Sequence, residues 1–217
     1  VFEIVPGSGL DLTPRLVMGN LSLSLGSYSD PEAHEKHYLQ TVGSGNWYFS
    51  EDDELRFDPV TGMLQSLRLH IPERNATKRG IPDLPAEPGS IRLVDLKPFT
   101  LEPTALRWFS DDGTELTCLY TVDKPGRRIR VAPDFDLFFT GDELSGWSVS
   151  HLGDADFALL VRDYFTLVTE PAIERMEVED PGVLRALQAL ADRVGTGTEA
   201  RADLHDRLTY MVDFFYA

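Results

Sequence analysis

Two histidines one helical turn apart are the first candidates for chemistry. His34-Glu35-Lys36-His37 follows Asp30-Pro31-Glu32, a helix start in which Asp caps, Pro takes the first helical position and Glu sits at the positive helix end. The i, i+3 spacing puts both imidazoles on one face, where they could fill two positions of a tetrahedral metal site. Such a site needs a third protein ligand and the sequence offers no second cluster, so a solvated helix face is the simpler reading. No metal or other cofactor is expected. Asp134-Phe135-Asp136 and Asp154-Ala155-Asp156 have the Asp-x-Asp form of metal ligands. Neither fits the calcium-loop pattern, and strand alternation explains the first pair with Asp out and Phe in. His70 and His151 each end a hairpin pattern; if the fold brings them together with nearby acids, they form a polar pair in a cleft between strands. Gly7-Ser8-Gly9 and Gly43-Ser44-Gly45 lack the Gly-Lys-Ser/Thr ending of a phosphate loop, and there is no Gly-x-Ser-x-Gly elbow. Cys118 shares a strand face with Leu116 and Tyr120 and reads as a core thiol rather than a nucleophile. These residues form no recognisable catalytic set, and the expectation leans away from an enzyme.

A second group of residues suggests binding. Trp47, Tyr48, Trp108 and Trp147 are interspersed with acidic runs that include Asp52, Asp53, Asp111 and Asp112. Exposed aromatics bordered by carboxylates suit a surface for a basic protein partner; the alternative is that the aromatics are core and the acids are loop tips. Twenty Lys and Arg against thirty-six Asp and Glu give a net charge of −16. That charge is repelled by nucleic-acid phosphates and anionic lipid and attracts basic proteins. No nucleic-acid or membrane partner is therefore expected. No apolar run approaches the ~20 residues of a membrane helix. Without a basic-then-apolar leader in the sequence, the expected location is cytoplasmic.

The elements that must position these groups are legible in part. At 217 residues the chain is long enough for one large or two small domains. Its centre is Leu55 to His70: Leu55 and Phe57, then Leu67 and Leu69, alternate with polar residues around the turn Asp58-Pro59-Val60-Thr61-Gly62. A period of two marks a half-buried strand, and Asp, Pro and Gly supply the turn. A looser copy runs from Phe135 through Thr140-Gly141 to Val149. Further short runs, Ile91 and Leu93, Leu106 to Phe109, Leu116 to Val122, Arg128 to Val131, are divided by Gly, Pro and Asp, as in an antiparallel meander. Residues 74–88, with Pro82, Pro85 and Pro88, read as an extended linker. Ala155 to Val168 reads as a buried helix. Pro181 to Val194, capped by Asp180 and stopped by Gly195, is a helix with one apolar stripe, and Thr198 to Phe215 is another. The expected fold class is α+β: antiparallel meander sheets, a short N-terminal helix, and a C-terminal helical pair packed on the sheet. One compact unit over 1–217 is expected; the alternative is a first half over 1–73 and a second over 89–217.

Phe2 to about Pro72 resembles the layout of small bacterial proteins of the toxin-immunity kind, on the strength of Pro6-Gly7-Ser8-Gly9 and the Asp58 to Gly62 turn. It departs from that layout at Leu12 to Asn20, which shows no clear helix. The resemblance covers about a third of the chain and implies a non-enzymatic protein that docks onto a partner. The expected function is thus an acidic, non-enzymatic protein-binding module, of the immunity kind, for a basic partner. The alternative is an enzyme or small-ligand-binding protein with a site between strands near His70 and His151.

Overall fold

The computed structural model describes residues 1–45, 52–76, 84–110, 112–121 and 124–216. Two sheets organise it. Strands β1 (Phe2–Pro6), β2 (Arg15–Val17) and β3 (Ser22–Leu25) precede helix α1 (Pro31–Gln40), followed by β4 (Val42–Gly43), β5 (Glu54–Phe57) and β6 (Leu64–His70). Strands β7 (Ala86–Leu93), β8 (Leu106–Phe109), β9 (Glu115–Leu119), β10 (Arg127–Ala132), β11 (Phe135–Thr140) and β12 (Glu143–Ser150) lead to helices α2 (Ala155–Leu167), α3 (Glu170–Glu177), α4 (Pro181–Val194) and α5 (Glu199–Tyr216). The five-stranded sheet has the order β2-β3-β6-β5-β4 and the seven-stranded one β1-β7-β10-β11-β12-β9-β8. All pairings are antiparallel except β7 with β10. The α+β class is as expected. Meanders of three successive strands form twice, β4-β5-β6 in the smaller sheet and β10-β11-β12 in the larger, where β1 and β7 are added from far away in sequence.

The central hairpin forms for the reason its sequence suggests. Asp58 Oδ1 accepts from the backbone N–H of Val60 and Thr61 at 2.9 and 2.7 Å, and Gly62 takes φ +71°. Gly62 is also where the tip meets the other sheet: Leu93 N–H donates to its carbonyl at 2.9 Å, and a Cβ there would lie 2.7 Å from the Leu93 carbonyl oxygen.

The expected linker is shorter than its prolines suggest. Asn75 bridges Arg107, and β7 begins at Ala86, so Ala86–Pro88 is strand. Pro88 is tolerated because β7 changes neighbours there: Ala86 to Pro88 run beside β10, and Gly89 to Leu93 pair with β1. Residues 77–83 lie outside the described residues. Leu12 to Asn20 holds β2 and a single 3-10 turn at Met18–Asn20, not a longer helix.

One apolar cluster joins the inner face of the seven-stranded sheet (Ile129, Phe135, Leu137, Trp147, Val149), one face of the five-stranded sheet (Leu23, Leu55, Phe57, Leu67) and the C-terminal helices (Phe157, Phe165, Leu187, Leu204). Helices α4 and α5 pack on each other, and α5 also packs on the 3-10 turn and β2. Arg207 pins that contact, donating to the Tyr164 hydroxyl at 2.6 Å and to the Gly19 carbonyl at 3.0 Å. Among the described residues no helix is long and apolar enough to cross a membrane.

Candidate functional site

The five-stranded sheet has one apolar face in the core and one polar face. The polar face carries a cross-strand row, Arg15–Ser24–Arg68–Glu54, on β2, β3, β6 and β5, with Ser22 and His70 one step along. Helix α1 covers part of this face. The part left open borders a cleft of about 1090 Å³, closed on its other sides by the end of β12 and the starts of α1, α2 and α5. Among the described residues lining it, six carboxylates (Asp30, Asp52, Glu54, Asp154, Glu199, Asp203) face two guanidiniums (Arg15, Arg68), together with His34, His70 and His151.

Several of these groups have structural duties. Asp30 caps α1 through the Ala33 N–H at 2.8 Å, and Asp154 caps α2 through the Phe157 N–H at 2.8 Å. Glu54 lies 2.9 Å from His34, and Arg15 donates to the Tyr28 carbonyl at 2.6 Å. Asp203 is different: partial burial and its neighbours Glu199 and Asp206 push its carboxyl above the usual carboxylate range. That crowding of like charge is what a bound cation relieves.

His70 and His151 both border the cleft, but each is held by its own carboxylate. His151 Nδ1 lies 2.9 Å from Asp134 Oδ1 on the exposed rim. Behind His70 is Asp53, fully buried, with Oδ1 accepting the His70 backbone N–H at 2.7 Å and Oδ2 accepting the Tyr120 hydroxyl at 2.6 Å. The His70 ring nitrogen Nδ1 sits 3.4 Å from Oδ1 without hydrogen-bond alignment. Burial raises the Asp53 carboxyl, and the bonds from His70 and Tyr120 oppose that rise.

The expected aromatic and acidic binding set does not form one surface. Trp147 is fully buried, tilted against Phe135 at 6.0 Å in the core, which corrects its place on a docking face. Asp53 is likewise interior. Trp108 is half-buried on β8, beside the turn that holds Asp112. Asp112 is exposed but engaged: bonds from the Ser110 hydroxyl, the Thr114 N–H and the Thr114 hydroxyl lower its carboxyl to about 2. Of the set, Asp52 alone borders the cleft among the described residues. Trp47, Tyr48 and Asp111 lie outside the described residues.

The histidine pair on α1 is corrected too. Its face is turned to the sheet, not to solvent: His34 is buried and His37 half-buried, against Glu54 and Ser66. Among the described residues no three His, Cys, Asp or Glu converge as a metal centre requires. Of the Asp-x-Asp residues, Asp136 is buried rather than facing out, clamped by Arg128 and Arg130 at 2.6 and 2.8 Å; Asp134 meets His151, and Asp154 caps α2. Cys118 is buried as expected, and burial pushes its thiol well up.

In comparisons with known proteins, no family model matches the chain, and no curated protein matches it.

Proposed function

We propose that this chain is a non-enzymatic binding protein of the immunity kind, whose acidic cleft receives a basic segment of a protein partner. The observation that carries this reading is the cleft's charge: Asp52, Glu54, Asp154, Glu199 and Asp203 outweigh Arg15 and Arg68, in a chain of net −16. A concave, acid-lined surface concentrates cationic groups and excludes phosphate backbones. Titration calorimetry with an oligoarginine peptide tests it. Binding that weakens steeply between about 0.05 and about 0.5 M salt supports the reading, since exposed charges are screened over that range. No binding at the lower salt contradicts it.

A second reading, a small-ligand or enzymatic site, is favoured by one observation: the His70 ring borders the cleft with a buried carboxylate behind it. A thermal-shift screen of small polar molecules decides it. A stabilising ligand whose effect is lost in His70→Gln supports this reading, and a screen with no such ligand counts against it.

A further inference from the structure

Helix α1 forms one wall of the cleft, yet among the described residues it is joined to the sheet outside the apolar core. Among the described residues, the apolar cluster includes none from Pro31–Gln40, and Leu39 is exposed. Among the described residues, the contacts that join the helix to the sheet are hydrogen bonds, an ion pair and ring contacts. His34 Nε2 lies 2.9 Å from Glu54 Oε1, and His37 Nε2 lies 2.8 Å from Ser66 Oγ. From β5, Arg56 donates to the carbonyls of Tyr38 and Thr41 at 2.8 and 2.6 Å, with its guanidinium 3.9 Å from the centre of the Tyr38 ring. Tyr28, in the loop before the helix, stacks on His34 with ring centres 4.3 Å apart and tilts against His37 at 5.5 Å. Beneath lie Ser24, Ser66, Glu54 and Arg56, all buried. A face joined by hydrogen bonds over a polar layer opens at lower cost than one joined by buried apolar area.

We propose that α1 is a proton-released wall of the cleft: on mild acidification His37 takes up a proton, and Pro31–Gln40 lifts from the sheet, opening the cleft along Tyr28 and His34. In the closed arrangement a neutral His37 can accept from the Ser66 hydroxyl; a protonated ring is a donor at both nitrogens and makes that bond only if the buried hydroxyl turns. Among the described residues, the groups that face His37 are His34 on its own helix, Glu54 and Arg56 from β5, Ser66 from β6, and Tyr28 from the preceding loop. The one carboxylate among them, Glu54, is already engaged by His34. Burial leads in holding the His37 imidazole below its ordinary 6.5; Glu54 opposes this, and His34 and Arg56 add to it. A depressed imidazole stabilises the closed state fully above 6.5. That stabilisation is lost as pH falls below 6.5, and the loss is complete once pH passes the depressed value.

This regulation acts on the binding cleft proposed above and rests on that reading for its purpose; the movement of α1 is measured without any ligand. Hydrogen exchange of residues 31–40 in the full chain, corrected for intrinsic rates, is compared at about pH 7.5 and about pH 5.5, a span that brackets the ordinary imidazole. Protection of 31–40 should fall by up to about tenfold per pH unit, the limit for one proton, while α4 serves as an unchanged reference. In His37→Gln the pH dependence should vanish. Should that variant not fold, a proton NMR titration of His37 in the parent chain decides, with a midpoint below the ordinary imidazole value expected. Protection of 31–40 that is constant with pH in the parent, or that falls equally in His37→Gln, overturns the proposal, as does a His37 midpoint at or above the ordinary value. Oligoarginine binding, measured separately at both pH values, tells the two ideas apart. A peptide that binds at neither pH sinks the cleft reading and leaves the α1 result standing.

Discussion

The Tyr120 hydroxyl donates to Asp53 Oδ2 at 2.6 Å, joining the residue that follows β9 of the seven-stranded sheet to the residue that precedes β5 of the five-stranded one, beneath His70. The other oxygen of Asp53 accepts the His70 backbone N–H, so one buried carboxylate fixes the floor of the cleft from two directions.

Tyr120→Phe removes a bond that the ionised carboxylate needs and the neutral acid needs less. Asp53 already has a raised folded pKa, and losing Tyr120 raises it further. The variant should therefore match the parent below the unfolded carboxylate value of 3.8 and fall behind it as pH rises through both folded values. A deficit of about 1.5–3 kcal/mol well above the folded values is expected for a hydrogen bond to a charged group. Urea unfolding at several pH values measures it, and a deficit independent of pH would contradict the assignment.

Arg107 is a buried staple. Its guanidinium donates to Asn75 Oδ1 at 2.7 Å and to the carbonyls of Phe165 and Val168 at 2.7 Å, closing the end of α2. Burial lowers its pKa to about 10, still charged at neutral pH. Arg107→Met keeps most of the volume and leaves those acceptors without a donor, at a cost of about 3 kcal/mol. Chemical denaturation should show the midpoint falling with an unchanged slope. A midpoint equal to the parent's would mean that water replaces the guanidinium freely.

A chain ending at Val194 lacks α5, and with it Leu204, Leu208 and Met211, all buried. Each such side chain stabilises by about 1.5–3 kcal/mol when buried, a large share of a domain's margin of roughly 5–15 kcal/mol. The shortened chain should lose its cooperative thermal transition. A sharp transition close to that of the full chain would make α5 an appendage.

These cases show where the sequence is readable. Helix α4 spans the expected Pro181–Val194 because both ends carry their own chemistry: Asp180 accepts from the N–H of Gly182 and Val183, and Gly195 takes φ +60°. Helix α3 has no stripe to read, since only Ala172 and Met176 on it are buried. Alternation in β5 suggests one wet face, yet Glu54 and Arg56 are buried, because α1 lies over that face and supplies polar partners. Composition around Trp147 is the same for a core indole and a docking indole; only the sheet's other strands decide. The cleft itself has no local signature. Its residues run from Arg15 on β2 to Asp203 on α5, and tertiary packing alone brings them together.

The central claim is that the cleft, and not net charge alone, takes the basic partner. The direct measurement compares oligoarginine affinity in two triple variants that remove the same charge. One carries Asp52→Asn, Glu199→Gln and Asp203→Asn in the cleft; the other carries Glu170→Gln, Glu174→Gln and Glu177→Gln on the exposed face of α3. The account predicts that the cleft variant loses at least about tenfold in affinity, roughly 1.4 kcal/mol, while the α3 variant stays within about threefold of the parent. Equal losses in the two variants would contradict it.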